Sequence, residues 1–266
     1  MFLSKLDNEN IIHKIYDDIE IIQFKKLLEF PNLIHGYTLR KHGINISSNN
    51  KKVLKESYNK ISKIFNIDET NIIKPHQTHT DIIEVVKNPN IEFNEVDGLI
   101  TDKNNILLVT TSADCISLLF FDKRKNLIAN VHSGWRGTAK KIGKKAVIKM
   151  IKEYSSNPED IICAICPSIR KCHFEVDTDV MEIFKKEFEY TGRINEIISV
   201  GRKVEEKQKY NIDTVLINKI LLEEAGLKKE NIIDSGICTV CNSDCFHSYR
   251  VDKQESGRNG AFIGLK

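Results

Sequence analysis

Apolar and β-branched residues gather in short runs that predict strands at residues 81–87, 106–111, 116–121, 127–131, 161–165 and 261–265. Elsewhere the apolar spacing is helical. Ile142, Ala146, Met150 and Ile151 recur on one face and predict a helix over 138–154. Further helices are predicted over 51–65, 180–188 and 214–225, the last with Asp213 as N-cap and Gly226 as its stop. Strands and helices mix without a strict βαβ rhythm, so the pattern points to stacked α+β layers rather than a doubly wound sheet. No internal repeat or low-complexity linker divides the chain, and one domain over residues 1–266 is expected.

Composition narrows the function classes. A hydrophobic fraction of 41% supports a sizeable core, which argues against disorder. The net charge of +3 arises from 40 basic and 37 acidic residues intermixed along the chain, so no basic block marks a nucleic-acid surface. Residues 203–209 mix both signs and read as a solvated face. No apolar run approaches the roughly 18–20 residues that span a bilayer. The first ten residues lack a basic region followed by an apolar core, so no secretory signal is expected. Seven cysteines in a chain of this kind argue for metal binding, catalysis or burial rather than a disulfide framework, and a cytoplasmic location follows.

Candidate chemistry lies where reactive side chains meet strand ends. His79 belongs to Lys74-Pro-His-Gln-Thr-His-Thr80, ahead of a strand, and Cys115 closes Thr111-Ser-Ala-Asp-Cys115 between two apolar strands. His132 ends the strand 127–131 and opens His132-Ser-Gly-Trp-Arg-Gly137. Two imidazoles and one thiolate form a zinc set with the fourth tetrahedral position open, the catalytic arrangement. Taken singly, each also reads as a packed or solvated side chain, and a free cysteine between apolar strands is commonly a small buried hydrophobe. His76 with His79, and Cys163 with Cys166, are lone pairs without a matching second pair. Cys238, Cys241 and Cys245 form a tighter group, but no fourth ligand follows except His247, and no metal site is expected there. Basic turns at Leu39-Arg40-Lys41-His42-Gly43 and Gly134-Trp-Arg-Gly137 offer cations to an anion, and near the end Arg250, Arg258 and Asn259 surround a Gly-containing turn before the last strand.

These segments, joined by Val96-Asp-Gly-Leu99, Pro167-Ser-Ile-Arg-Lys-Cys-His-Phe-Glu-Val176, Asn211-Ile-Asp213, Phe246-His-Ser-Tyr-Arg250 and Gly257-Arg-Asn259, occur in an order that resembles one family. It is the YfiH-like, or laccase-domain, family, once called polyphenol oxidases and peptidoglycan-editing factors. The resemblance implies a single domain of stacked α and β layers, related to the cysteine-hydrolase-like sandwich. It implies one zinc per chain with copper not expected, and purine nucleoside phosphorylase activity accompanied by adenosine deaminase and methylthioadenosine phosphorylase activities. Its partners would be purine nucleosides and phosphate, with no nucleic acid, membrane or protein partner. Carried over residue by residue, the zinc ligands fall on His79, Cys115 and His132, and the anion-binding arginine on Arg40. Arg136 and Arg250 match motif positions and are expected beside substrate or phosphate, while Asp114 and Glu175 are expected as acid/base groups. Two departures stand out: Cys166 replaces a usual glycine, and the stretch after the first arginine motif is shortened to Asn45-Ile-Ser-Ser-Asn49.

Three other readings remain open on the residues themselves. A copper oxidoreductase would need more clustered histidines than the eight scattered here. A cysteine hydrolase would use Cys115 as nucleophile and His132 as base, acting on peptidoglycan precursors. A binding module would show no turnover at all.

Overall fold

The computed structural model describes residues 5–16, 19–41, 45–46 and 51–266. Among them, three sheets form. The first runs β1 (Ile11–Tyr16), β2 (Ile19–Phe24), β3 (Leu33–Thr38), β15 (Asn259–Leu265), β7 (Ile106–Ser112) and β4 (Ile72–Ile73) in spatial order. The second runs β14 (Ile232–Asp234), β10 (Ile161–Ile165), β8 (Ile116–Asp122), β9 (Leu127–Ser133), β6 (Gly98–Thr101) and β5 (Ile83–Val85). A small third sheet orders β11 (Glu175–Val176), β13 (Lys207–Ile212) and β12 (Ile198–Val204).

The two large sheets pack face to face, and their central strands bury both faces. In β7, Ile106 and Leu108 enter the cluster between the sheets, whereas Leu107 and Val109 point to the opposite cluster. In β8, Leu119 and Phe121 turn inward, and Ile116, Leu118 and Phe120 turn outward. Burial on both sides is why these strands read as continuous apolar runs rather than as alternation. The helix α1 (Lys51–Phe65) covers the outer face of the first sheet, setting Ile61 and Phe65 against Leu107, Val109 and Phe262. On the outer face of the second sheet lie α3 (Ile142–Tyr154) and α6 (Thr214–Glu224). The remaining helices, α2 (Trp135–Ala139), α4 (Thr178–Phe188) and α5 (Ile194–Ile197), join the third sheet around a separate apolar cluster, and α7 (Tyr249–Asp252) precedes β15. Stacked α and β layers are therefore the observed architecture, as the sequence pattern indicates. No described helix is long and apolar enough to cross a membrane.

Asp213 caps α6 by accepting from the Leu216 amide at 2.8 Å, and Gly226 follows its end at φ +97°. The helix expected over 138–154 is in fact two. Lys141 adopts φ 65° and breaks the run, so α2 begins directly after the His132 strand and α3 takes up the apolar stripe. Residues 203–209 do carry exposed charge, but they also close a hairpin: Glu205 and Glu206 both sit at positive φ between paired Val204 and Lys207. This is the two-residue turn whose twist suits antiparallel strands, formed without the usual Asn-Gly signal.

A polar contact ties the two sheets together near the site. Asn130 of β9 donates to the carbonyls of Leu108 and Ala261, and its Oδ1 accepts from Thr110 Oγ1 at 2.7 Å. Those three partners belong to the first sheet, and Asn130 is fully buried. Asn130→Leu fills the space but strands buried acceptors and a hydroxyl, so a loss of roughly 2–4 kcal/mol in denaturant unfolding is expected. A loss below about 0.5 kcal/mol, the scale of an ordinary surface change, would show that the sheets are not joined through this side chain.

Candidate metal centre and cleft

His79, Cys115 and His132 come from three separate segments, two connections and the end of a strand, and meet at one end of the sandwich. His132 lies in β9 paired with Ser117, and Cys115 directly precedes β8. The turn 113–115 carries the chain from β7 in the first sheet to β8 in the second, with Asp114 at φ 85°. His79 arrives on the connection between β4 and β5, also in the left-handed region at φ 63°. One ligand atom from each residue lies within 4.8 Å of the others, and His79 Nε2 is 3.9 Å from Cys115 Sγ. Gly134 lets them converge: a Cβ there would fall 2.7 Å from His79 Cδ2 and 3.4 Å from both Cys115 Sγ and His132 Cε1.

Asp97, fully buried directly ahead of β6, organises the cluster. Its Oδ1 lies 2.7 Å from His132 Nδ1 and accepts from the His79 amide, while Oδ2 accepts from the amides of Thr78 and Thr80 and from Thr80 Oγ1. The carboxylate thereby occupies His132 Nδ1 and leaves Nε2 for the cluster, and it holds His79 in its strained conformation. Burial is the largest single influence and would raise the Asp97 carboxyl, but the hydrogen bond and charge of His132, with the hydroxyl and amide of Thr80, together outweigh it and hold the group down to about 2. Burial likewise pushes the Cys115 thiol up, and the His132 and His79 imidazoles reverse this, bringing it to about 6. For His132 burial lowers the pKa, and the Cys115 thiolate and Asp97 overcome it, lifting the group to about 9. A ready thiolate beside two oriented imidazoles is a donor set that could bind a metal ion.

The cluster opens into a cleft of about 870 Å³, within the range of ligand-binding pockets. Lys74, Arg250 and Arg258 bring positive charge to its lining, and Phe93, Trp135, Phe174 and Tyr249 bring flat apolar surface.

Residues 38–266 match a family model described as multi-copper polyphenol oxidoreductase laccase. The chain belongs to this family. It is 31% identical over 215 residues to purine nucleoside phosphorylase YlmD of Bacillus subtilis, covering 77% of this chain and 75% of that protein. Against adenosine deaminase RL5, from an unknown prokaryotic organism, identity is 30% over 208 residues, with 75% and 76% of the two chains covered. The crystal structure of YfiH from Bacillus licheniformis superposes with a TM-score of 0.83 at 26% identity, covering 94% of this chain and 100% of that one. Membership in the laccase-like YfiH family, read from the motifs, is thus shown by sequence and by fold.

Within this family fold, the residues singled out in the sequence take different places. His79, Cys115, His132, Asp114 and Arg250 line the cleft. Arg40 and Arg136 are not among its lining residues. Arg40 Nη1 is committed to Asp252 at 2.8 Å and to the Ser243 carbonyl, so its charge is spent bracing the segment that carries Arg250. His42, Gly43 and Ser47 to Asn49 of the same region lie outside the described residues. Arg136 is exposed and stacks on the Trp135 ring, 4.3 Å from its centroid. Glu175, expected as an acid/base group, lies outside the cleft lining in the third sheet, with its carboxylate on Arg202 at 3.1 Å. Asp114, expected as an acid/base group, is buried with its oxygens accepting from Thr239 Oγ1, Ser248 Oγ and the Arg250 amide. The groups that sequence reasoning left without a role are Asp97, Lys74 and Arg258; Asp97 stood in a motif segment, but nothing in the sequence tied it to His132.

The late cysteines also differ from expectation. Cys245 is buried in the core, and the His247 ring packs on Gly257, where a Cβ would fall 2.5 Å from Cε1. Cys238 and Cys241 instead meet Cys172 and His173.

Proposed function

We propose that the chain is a zinc-dependent purine nucleoside phosphorylase with an adenosine deaminase side activity. Adenosine, inosine, guanosine and methylthioadenosine are its substrates, with phosphate as co-substrate. The observation that carries this reading is the three-ligand His79–Cys115–His132 group opening into a cleft with cationic and aromatic lining. The names of its relatives support the same chemistry. The donor set fits zinc: borderline-soft nitrogen and sulfur ligands, one thiol already close to ionised, and a buried carboxylate fixing the imidazole tautomer. When bound, the metal supplies a Lewis acid that makes water reactive near neutral pH, which is what attack on C6 of adenine requires.

The chain's own residues account for phosphorolysis by placement and charge. Arg250 is held at the cleft by its amide on Asp114 and by its guanidinium on the carbonyls of His173 and Glu175. Together with Arg258 and Lys74 it forms the cationic wall for phosphate. A phosphate oxygen then attacks ribose C1′, the C1′–N9 bond breaks, and the departing purine takes up a proton. The flat side chains of Phe93, Trp135, Phe174 and Tyr249 suit the purine face.

Incubation with adenosine and phosphate should give adenine and ribose 1-phosphate, with inosine from the deaminase activity. Cys115→Ala should lose about one zinc per chain and both products. Copper at this position, or absence of both adenine and hypoxanthine at high enzyme concentration, would overturn the reading. The lowered Cys115 thiol beside His132 also suits a metal-independent cysteine nucleophile. Phosphate-independent hydrolysis that survives a chelator would favour that alternative.

A further inference from the structure

Two turns outside the cleft's ligand set lie side by side. Cys172 and His173 belong to one, closed by the His173 amide on the Arg170 carbonyl, and Cys238 and Cys241 belong to the other, closed by the Asn242 amide on the Cys238 carbonyl. Main-chain contacts align them: Ser168 bridges Cys238, the Thr239 amide donates to the Ser168 carbonyl, and the Ser168 amide donates to the Ile237 carbonyl. Arg170 fastens the same pair, with Nε on the Ile237 carbonyl and its guanidinium forked onto Asp234.

The four donor atoms sit at the corners of a small tetrahedron. Cys172 Sγ is 3.7 Å from Cys238 Sγ and 3.9 Å from Cys241 Sγ. His173 Nδ1 is 3.2, 3.7 and 3.4 Å from the sulfurs of Cys172, Cys238 and Cys241. Zinc bonds of about 2.3 Å to sulfur and about 2.0–2.1 Å to nitrogen imply tetrahedral edges of about 3.8 Å between sulfurs and about 3.6 Å from sulfur to nitrogen. All four atoms lie within 4.8 Å of one another, and none of the three cysteines is in a disulfide. We propose that Cys172, His173, Cys238 and Cys241 bind a second zinc ion as a closed structural site.

Four protein ligands leave no position for substrate, so the role is to hold backbone rather than to react. What it holds is one wall of the cleft. Ile169 and Phe174, flanking the first pair of ligands, line the cleft. The His173 carbonyl receives Arg250 Nη1, and Thr239, next to Cys238, donates to Asp114. An ion between the turns therefore fixes both supports of the Arg250 segment. Sequence spacing hides the set because its two halves lie more than sixty positions apart, 65 from His173 to Cys238.

Zinc content and cobalt substitution of the full chain test the site. Wild-type protein should hold about two zinc ions, Cys115→Ala about one, and Cys115→Ala combined with Cys172→Ser and Cys241→Ser about none. Cobalt-loaded Cys115→Ala should show the intense charge-transfer and d–d absorption of a tetrahedral ion bound by several thiolates, which a lone thiolate does not give. If the combined variant does not fold, Cys115→Ala alone decides through its zinc content and cobalt spectrum. A Cys115→Ala protein without zinc, a cobalt spectrum lacking multiple-thiolate absorption, or an intact mass two hydrogens light from a Cys172 disulfide would overturn the proposal. Wild type and Cys115→Ala holding the same single zinc would uphold this site and instead remove the metal from the cleft.

Discussion

Asp97→Asn is expected to weaken metal retention by His79, Cys115 and His132 by about 10–100-fold, the usual effect of removing a carboxylate that orients a ligating histidine. The substitution keeps the shape but removes the charge facing His132 Nδ1 and replaces one acceptor oxygen by a donor. The amides of Thr78 and Thr80 and the Thr80 hydroxyl all converge on Oδ2, so the amide group cannot serve the whole ring of donors. His79, at φ 63° with its amide on Asp97 Oδ1, would lose part of its support as well. Competition against a chelator, reading the zinc equivalent that Cys115→Ala lacks, measures the effect. Retention equal to wild type would mean that Asp97 only supports the loop.

Arg250→Ala is expected to lower phosphorolysis by about 30-fold or more, since losing one side of a charge-assisted contact to a buried anion costs on the order of 2–5 kcal/mol. Deamination uses no phosphate and should fall much less. Arg250→Lys should not restore phosphorolysis, because an ammonium cannot reproduce the two-pronged guanidinium that reaches His173 and Glu175 while facing the cleft. Arg40→Ala should leave phosphorolysis within a few-fold, since its guanidinium serves Asp252 and Ser243 outside the cleft lining. Steady-state rates with and without phosphate distinguish these outcomes. Equal loss of both reactions in Arg250→Ala would assign the residue to the nucleoside instead.

The legible parts of the chain are those where local chemistry and burial agree. Strands β7, β8 and β10 are apolar on both faces, and their sequence runs fall within one or two residues of the observed limits. The N-terminal β1 mixes apolar and polar residues, and β12 leaves Val200 at 73% exposure, so neither produces a clean run. Cys115 and His132 are legible because each lies at the end of a long apolar strand, and His79 because its motif precedes the shorter β5. Asp97 is not, because its role comes from an orientation across 35 positions to His132. The arginines were harder still. Arg40 and Arg136 sit in basic turns as attractive as the one holding Arg250, and only tertiary contacts reveal which cation faces the cleft.

The place of β15 has a consequence for synthesis on the ribosome. It pairs with β3 on one side and β7 on the other, so the first sheet lacks a middle strand until residues 259–265 have emerged. Until then the nascent chain carries two unpaired apolar edges more than sixty residues apart in sequence, Leu33–Thr38 and Ile106–Ser112. Such edges are templates for wrong pairing. His79, Cys115 and His132 are translated well before that point, yet the sheet from which the Cys115 turn departs is completed only afterwards.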